Sequence, residues 1–241
     1  MTSQLELTKV SAGYGETVVL EDISFSLKQG ERIGLLGRNG AGKTTLLATI
    51  MGLTRLISGE IRHDGRDISK IATYLRARAG IGLVPQTRDI FPSLTVTENL
   101  RSAEWDKPDP KTISFVYELF PRLKERARNF GNQLSGGEQQ MLAIARTLIT
   151  KPRFLMLDEP LEGLAPQVRE EVMAAISRLV VETNVGCILV EQHVDVVLDF
   201  SDRVLILERG AVSYSGSAAE LKQDAALLDR TIGLQKINAP A

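Results

Sequence analysis

A glycine-rich run in the first part of the chain has the residue types and spacing needed to bind phosphate. It fits the pattern G-x-x-x-x-G-K-[ST] of a P-loop. Glycines let backbone N–H groups approach a polyphosphate closely, the lysine can pair with the β- and γ-phosphates, and the threonine hydroxyl can bind Mg²⁺. The pattern predicts a nucleotide site made of Gly37, Arg38, Asn39, Gly40, Ala41, Gly42, Lys43, Thr44 and the following Thr45.

The residues around this run have the strand–loop–helix order that a P-loop requires. Residues 31–36 are largely apolar and predict a buried strand. After the loop, Leu46, Ile50 and Met51 recur at helical spacing. Gly52 then stands where a helix C-cap is expected. The positive end of such a helix faces the phosphates, so the flanking elements favour a P-loop over a chance glycine-rich turn.

A second candidate for chemistry is a pair of carboxylates at the end of an apolar run. Residues 154–157 predict a buried strand, and Asp158 and Glu159 follow directly. Ligands bind at the carboxyl ends of strands in open α/β sheets. Asp158 offers the hard oxygen that Mg²⁺ prefers, and Glu159 could polarise a water for in-line attack on the γ-phosphate. Beside a P-loop, this pattern favours a catalytic site over two solvated acids.

A third motif combines a helix start with two glycines. It reads Leu134, Ser135, Gly136, Gly137, Glu138, Gln139. Ser135 with Glu138 three residues later is the pattern of a capping box. Each glycine costs a helix about 1 kcal/mol relative to alanine. Two of them in the first turn favour a ligand, such as phosphate, that must approach the backbone closely; the alternative is a merely flexible helix start.

Composition excludes several classes of function. Of the 241 residues, 43% are hydrophobic and 24% charged, and the net charge of −1 gives no overall attraction to nucleic acid or anionic lipid. The apolar runs are far shorter than the ~20 residues of a membrane span. No export signal is visible, so we expect a cytosolic location. A single cysteine, Cys187, excludes a disulfide framework or thiolate metal site and is expected in the core.

The order of segments predicts an α/β fold. Residues 4–28 alternate loosely and predict short antiparallel strands, while Gly59 and Asp64-Gly65 predict turns around another short strand pair. Between about 88 and 150, strand-like runs give way to helical spacing. Strands then alternate with helices again, including a helix over 167–182. This alternation predicts a mostly parallel, doubly wound sheet with a helical insertion.

The P-loop, the Leu-Ser-Gly-Gly-Glu-Gln motif and the Asp158-Glu159 strand end, in that order, resemble the ATP-binding-cassette (ABC) ATPase family. The resemblance runs from about residue 4 to 234 and implies ATP and Mg²⁺ as ligands. It implies that Tyr14 stacks on adenine and that His193 contacts the γ-phosphate. The other histidine, His63, matches no family position and is expected at the surface.

The resemblance also assigns the metal ligands and the catalytic residues. Gln86 corresponds to the glutamine that senses Mg²⁺, the attacking water and the membrane partner. The implied Mg²⁺ ligands are Thr44, Gln86 and Asp158, and the implied catalytic residues are Lys43, Gln86, Glu159 and His193.

The fold implied is a P-loop NTPase of RecA-like type with an added antiparallel β subdomain and an inserted α-helical subdomain. Residues 1–87 and 151–216 would form the α/β core together with the β subdomain. Residues 88–150 would form the helical subdomain, and residues 217–241 a C-terminal helix, to about 234, and a frayed tail. The stretch 105–110 is expected to be an exposed loop.

One departure from the family pattern is informative. Many members have a Ser-x-Leu-Asp type loop after the Glu-Pro pair, whereas here Ala165 stands where the aspartate would be, which puts that loop's usual contacts across the dimer in doubt. The stretch Gly163-Leu164-Ala165-Pro166 resembles a variant found in ATP subunits of branched-chain amino acid importers. The stretches 90–100 and 136–146 also resemble that subgroup.

The chain carries one P-loop and one Leu-Ser-Gly-Gly-Glu-Gln motif, which is the signature motif of the family. In the family, ATP lies between the P-loop of one subunit and the signature of another, so the resemblance implies a homodimer or a heterodimer with a similar subunit. It also implies integral membrane permease subunits, an external solute-binding protein acting indirectly, and a peripheral position on the inner face of the cell membrane. The rival class is a soluble ABC ATPase acting on nucleic acid or the ribosome.

Several features of the sequence weigh against the alternatives. The chain has no long heptad run, no cysteine pair and no second cassette, and its charge is near neutral, which disfavours a nucleic-acid partner. A P-loop kinase is disfavoured by the signature sequence. The transported solute is not determined at this level.

Overall fold

The computed structural model describes residues 3–105, 109–224 and 226–228, and these form two β-sheets flanked by helices. The strands are β1 (Gln4–Tyr14), β2 (Thr17–Lys28), β3 (Arg32–Gly37), β4 (Arg55–His63), β5 (Arg66–Asp67), β6 (Ile81–Val84), β7 (Phe154–Asp158), β8 (Gly186–Val190), β9 (Arg203–Glu208) and β10 (Ala211–Ser217). The α-helices are α1 (Lys43–Met51), α2 (Thr73–Arg78), α3 (Val96–Arg101), α4 (Pro110–Leu119), α5 (Pro121–Glu125), α6 (Gly136–Ile149), α7 (Pro166–Thr183), α8 (Val194–Phe200) and α9 (Ala218–Gln223).

The larger sheet is mostly parallel, as the alternation of strands and helices predicts. Its strand order is β10-β9-β3-β8-β7-β6, and only β10 pairs antiparallel to its neighbour. The smaller sheet, in the order β2-β1-β4-β5, is wholly antiparallel. Because β3, β6, β7 and β8 run in the same direction, their carboxyl ends lie at one edge of the sheet, where ligands bind in such folds.

The core lies on both faces of the larger sheet, because its central strands β3, β7 and β8 are buried and apolar along most of their length. On β7, Leu155 and Leu157 pack with the helices of the segment 88–150 and with α7. The intervening Phe154 and Met156 pack on the opposite face with α1 and the antiparallel sheet. Successive side chains of a strand point to opposite faces, so one five-residue strand contributes to both clusters. The helical segment thus shares a hydrophobic core with the sheet.

The P-loop helix α1 is fixed at its carboxyl end by two features. Gly52 takes the left-handed conformation with φ of 74°, the C-cap expected from the sequence. The guanidinium of buried Arg76 donates hydrogen bonds to the carbonyl oxygens of Thr49 and Ile50 in the last turn, which lack the usual α-helical donor four residues on. The Thr49 carbonyl also accepts from the N–H of Gly52. A cation also stabilises the negative end of the helix dipole, so Arg76 helps to hold the loop at the other end of α1 in place.

Two predictions about the antiparallel sheet are wrong. Its first two strands are not short, because β1 has 11 residues and β2 has 12. Gly59 does not mark a turn; it lies inside β4 with φ of 84°, opposite a register shift of β1 between Thr8 and Ser11. A Cβ on Gly59 would lie 2.2 Å from the carbonyl oxygen of Lys9. The glycine therefore serves a β-bulge, whereas Asp64-Gly65 forms the expected turn between β4 and β5.

Helix boundaries in the middle and at the end of the chain follow the prolines and the caps. Pro110 and Pro121 each occupy the first position of a helix, so Pro121 separates α4 from α5. Trp105 is exposed as expected, but residues 106–108 of the predicted loop lie outside the described residues. Of the predicted helix 217–234, residues 218–223 form α9 and 226–228 are helical. Residues 225 and 229–241 lie outside the described part. In the described residues no helix is long and apolar enough to cross a bilayer.

Cys187 and His63 are both buried, although the sequence predicts burial only for Cys187. Cys187 is fully buried on β8, as expected, and burial raises the pKa of its thiol to about 12. His63 is not at the surface as expected: it is only 5% exposed, and its ring meets Phe154 edge-on with centroids 5.5 Å apart. His63 is the last residue of β4. Strand alternation directs its side chain to the face of β4 that lies between the two sheets.

Buried His63 predicts an acid-sensitive stability. Burial and the nearby Arg153 charge lower the pKa of His63, with Asp64 opposing them. A lowered folded-state pKa means that the unfolded chain binds the proton more readily, so stability is present above the unfolded pKa of about 6.5 and is lost as pH falls below it. We expect a His63→Leu variant to show a shallower loss of unfolding free energy between pH 7 and 5. Urea titrations at several pH values would measure this; equal slopes for both proteins would contradict it.

Candidate nucleotide-binding and catalytic site

The P-loop lies between the end of β3 and the start of α1, as the sequence predicts. Gly42 caps α1 with φ of 105°, and a Cβ there would lie 2.9 Å from Cδ2 of Leu20. Gly40 has φ of 79° and faces open space, so nothing in the described residues covers the loop at that point. Left-handed backbone favours glycine, and at Gly40 the loop's backbone is open to a ligand.

The charged end of Lys43 is held inside the loop. Its side chain is buried, and Nζ donates hydrogen bonds to the carbonyl oxygens of Gly37 at 2.9 Å and Arg38 at 3.3 Å. Thr45 is buried in the first turn of α1, whereas Thr44 is exposed. The ammonium is therefore already placed over the loop, where it can exchange carbonyl partners for phosphate oxygens.

Asp158 has the properties of a metal ligand. It is 2% exposed, and burial raises the pKa of its carboxyl, opposed by a hydrogen bond from the Thr44 hydroxyl and the Lys43 charge. Its Oδ1 has no hydrogen-bond partner. A buried, unpartnered carboxylate oxygen beside a threonine hydroxyl fits the oxygen ligands that Mg²⁺ prefers. No cluster of three His, Cys, Asp or Glu side chains occurs among the described residues, so phosphate or water oxygens would have to complete the shell.

Glu159 lies among amide side chains from two neighbouring strand ends. Its Oε2 accepts hydrogen bonds from Nε2 of Gln192 at 2.7 Å and of Gln86 at 3.4 Å. Oε1 has no donor among the described residues, so it is free to accept from a water. Glu159 itself takes a left-handed conformation with φ of 47°, a strained geometry often kept at functional sites. The structure therefore brings Gln86 and Glu159 together, as the resemblance implies.

Two neighbours of Glu159 have no part in the sequence prediction. Gln192 directly precedes His193, and Glu162 accepts a hydrogen bond from Gln86 Nε2 at 2.5 Å. Gln86 is thus shared between two carboxylates, with the shorter contact to Glu162. The only sequence signal for either residue was closeness to a motif, because a glutamine or glutamate in a loop has no pattern of its own.

His193 lies at the carboxyl end of β8 and caps α8, but it contacts no P-loop residue by a hydrogen bond in the described structure. Its Nε2 lies 2.9 Å from Nη1 of Arg169 on α7. The preceding Glu191 is 3% exposed, and burial raises the pKa of its carboxyl, while its Oε1 accepts from the backbone N–H of Leu161 at 2.7 Å. Sequence reasoning did not single out Arg169 or Glu191.

Tyr14 and the Leu134–Gln139 signature motif both expose groups that a ligand could contact. Tyr14 ends β1 with a side chain 50% exposed, enough to offer a ring face. At the start of α6, Ser135 and Glu138 form the predicted capping box. Gly137 also has a packing role, since a Cβ there would lie 2.5 Å from Cγ1 of Val168. Among the described contacts, no hydrogen bond or ion pair joins residues 134–139 to the P-loop.

A P-loop at the carboxyl edge of a parallel sheet, with a magnesium-competent aspartate and an adjacent glutamate, defines a P-loop nucleotide-hydrolysing protein. Comparison with known proteins narrows this class. The family model described as "ABC transporter" matches residues 20–162. The chain therefore belongs to the ABC transporter family, and it is an ATPase that binds ATP.

Individual relatives cover nearly the whole chain. It is 41% identical over 232 residues to the high-affinity branched-chain amino acid transport ATP-binding protein BraG of Pseudomonas aeruginosa, covering 95% of this chain and 99% of that protein. It is 38% identical over 220 residues to a probable branched-chain amino acid transport ATP-binding protein, LivF, of Archaeoglobus fulgidus, covering 90% and 93%. A solved dimer of the ATP-binding cassette MJ0796 with ADP and Pi is similar with a TM-score of 0.78 and 26% identity, covering 89% and 98%.

Proposed function

We propose that this chain is the ATP-hydrolysing subunit of an importer for branched-chain or related amino acids. The observation that carries the proposal is the similarity, over 95% of this chain, to a relative named for branched-chain amino acid transport. The Gly163–Pro166 stretch that resembles this importer subgroup supports it. A nucleic-acid partner is not supported, and the net charge of −1 is consistent with that.

We propose that two subunits bind ATP between them. Within one chain the signature at the start of α6 is separate from the P-loop, so a complete site needs the P-loop of one subunit and residues 134–139 of a second. The exposed amino-terminal turn of α6 offers N–H groups and a positive helix end to a phosphate. Tyr14 would stack on adenine, since its side chain is half exposed. The similar dimer of MJ0796 with ADP and Pi supports this arrangement.

The proposed chemistry is in-line attack of a water on the γ-phosphorus of ATP. Glu159 accepts the proton of that water, the bond from the γ-phosphorus to the bridging oxygen breaks, and ADP and phosphate leave. Lys43 neutralises phosphate charge, and Gln86 and His193 orient the water and the γ-phosphate. Thr44, Gln86 and Asp158 would hold Mg²⁺, which supplies charge stabilisation to the phosphate oxygens.

Import requires membrane subunits, and we propose that they dock on the segment around Gln86–Leu100. ATP would close the pair of subunits, and the resulting motion of the helical subdomain 88–150 would move the membrane subunits. An external binding protein would deliver the solute. The subunit would then lie against the inner face of the cell membrane. The test is reconstitution of the chain with multi-span permease subunits in liposomes. Uptake of labelled leucine that depends on internal ATP is expected; ATPase activity that such subunits leave unchanged would refute the assignment.

The segment from Ile90 to Thr95 is built to display one aromatic ring. The buried amide of Asn99 donates to the carbonyl oxygens of Phe91, Leu94 and Thr95 and accepts from the Phe91 N–H. These bonds hold the loop in one shape. Phe91 remains 44% exposed as a residue, with the Arg146 guanidinium 4.4 Å from its ring centroid. A rigid loop that presents an exposed aromatic ring is typical of a binding surface.

A groove of about 450 Å³ adjoins this loop, between the helical segment and the sheet. Leu53 and Trp105 line it and are exposed, and Arg88, Asp89 and Arg146 supply polar groups. The mixture of exposed apolar and charged side chains fits a protein partner whose helix inserts here. We assign this groove, together with Phe91, to the permease subunits.

A Phe91→Asp variant is expected to lose assembly with the permease subunits while keeping basal ATPase activity and a near-normal melting temperature. The ring is half exposed, so the new carboxylate stays solvated and stability falls by no more than about 1 kcal/mol. Co-purification, ATPase assays and thermal melts would measure this. Val181→Asp is the control, because Val181 is an exposed apolar residue on α7 at 77%. A loss of several kcal/mol of stability would instead show that Phe91 belongs to the core.

A further inference from the structure

His193 is not free in the single chain. Its Nε2 is in hydrogen-bond contact with Nη1 of Arg169 at 2.9 Å. A guanidinium has five donors and no acceptor, so Nε2 has to be the accepting atom. His193 is therefore neutral in this contact and carries its proton on Nδ1, because the hydrogen bond at one ring nitrogen fixes the protonation of the other.

The same guanidinium holds the loop between β7 and α7. Arg169 Nε donates to the carbonyl oxygen of Leu164 at 2.9 Å, next to Ala165. Among the described residues Arg169 forms no ion pair with a carboxylate, although Glu170 and Asp195 line the same groove as Arg169 and His193. The arginine instead contacts the Leu164 carbonyl oxygen and the His193 imidazole. These two contacts can hold the imidazole in a fixed position.

We propose that Arg169 is a positioning residue that latches His193 until two subunits close around ATP. The proposal rests on the proposed function, in which His193 contacts the γ-phosphate. While Arg169 occupies Nε2, that nitrogen has no proton to donate to a phosphate oxygen. In the family the loop that corresponds to residues 160–165 makes contacts across the dimer, and here Ala165 removes the aspartate side chain that usually takes part in them. Contact of a second subunit with the loop 160–165 would shift the Leu164 carbonyl oxygen while its side chain stays in the core. That shift would remove one of the two acceptors of Arg169 and release the imidazole.

The proposed contact of Arg169 with His193 does not need the aspartate that Ala165 replaces in this chain. Two contacts join this loop to the residues after β8 without a polar side chain at position 165. One is the hydrogen bond from the Leu161 N–H to Glu191 Oε1, and the other is the Arg169 bridge between Leu164 and His193. Dimer closure and γ-phosphate contact are therefore coupled through Arg169.

The first test reads the tautomer of His193 directly. The chain has two histidines, so ¹⁵N labelling of histidine gives two ring systems, and a His63→Leu variant assigns them. In the nucleotide-free wild type we expect the His193 proton on Nδ1, and in Arg169→Met a clear fall in that population. An Nε2 proton in the wild type, or an unchanged spectrum in Arg169→Met, would overturn the latch.

The second test measures its consequence for ATP-driven dimer formation in a hydrolysis-deficient Glu159→Gln background. Arg169→Met is expected to lower the ATP concentration for half-maximal dimerisation by about three- to tenfold, the net contribution of one typical intramolecular hydrogen bond. The effect should vanish when His193→Ala is also present. Arg178→Met is the matched control on the same helix, because Arg178 pairs with Glu182 at 2.6 Å.

The two tests separate failure of the latch from failure of the proposed function. An equal effect of Arg169→Met with and without His193, or an increase in the ATP requirement, would overturn the latch as a device acting on His193. If no variant dimerises with ATP, the shared-site function is refuted and the proposal falls with it, even where the tautomer shows that the Arg169 contact exists.

Discussion

A Glu159→Gln variant is expected to bind ATP as tightly as the wild type and to hydrolyse it about 10²–10⁴-fold more slowly, the usual contribution of a general base. Glutamine keeps the size of the side chain and can still hydrogen-bond Gln86 and Gln192. It cannot accept the proton of the attacking water as a carboxylate does. The bound state should therefore persist, and the variant should accumulate as an ATP-bound dimer on gel filtration.

Glu162→Gln is the matched control for this prediction. Glu162 lies in the same loop and takes the shorter hydrogen bond from Gln86, at 2.5 Å, so it is the other carboxylate that could act as base. We expect its amide variant to keep turnover within a few-fold of the wild type. Turnover of Glu159→Gln above about a tenth of the wild-type rate would point to another base. A large loss of turnover in Glu162→Gln would identify Glu162 as the general base.

A Lys43→Ala variant is expected to lose tight nucleotide binding, by about 100-fold or more, since hydrogen bonds to charged groups contribute about 1.5–3 kcal/mol each and the ammonium can serve two phosphates. Isothermal titration with ATP would measure the affinity. Lys70→Ala, which removes an exposed lysine, controls for the change in net charge. ATP affinity equal to that of the wild type would remove the P-loop assignment.

Folding has to be separated from binding in this experiment. Lys43 is buried, and its ammonium bonds the carbonyl oxygens of Gly37 and Arg38. Alanine leaves these groups without their partner, so the thermal melt of the variant should be recorded together with its titration. Lys43→Met keeps the approximate length of the side chain and removes the charge together with the ammonium's hydrogen-bond donors. Loss of binding in both variants, with a melting temperature near that of the wild type, would assign the effect to the ammonium.

The sequence by itself determined the features that depend on local chemistry. The P-loop, the Gly52 cap and the Ser135–Glu138 capping box all lie within a few residues of their partners, so spacing alone predicts their geometry. The apolar residues of β7 likewise predict a buried strand with acids at its end. The order of these motifs then determined the family, which the comparisons confirm, and with it the fold class.

Only the tertiary structure decided which distant side chains meet. Gln86 reaches Glu162 across 76 residues, and Arg169 reaches His193 across 24. Such contacts leave no periodicity in the sequence, because either residue alone is compatible with a solvated loop. The burial of His63 and the bulge at Gly59 have the same origin: each is set by what the opposing strand or sheet places against it. Local patterns encode backbone conformation, whereas the neighbours of a side chain are fixed by packing between segments far apart in the chain.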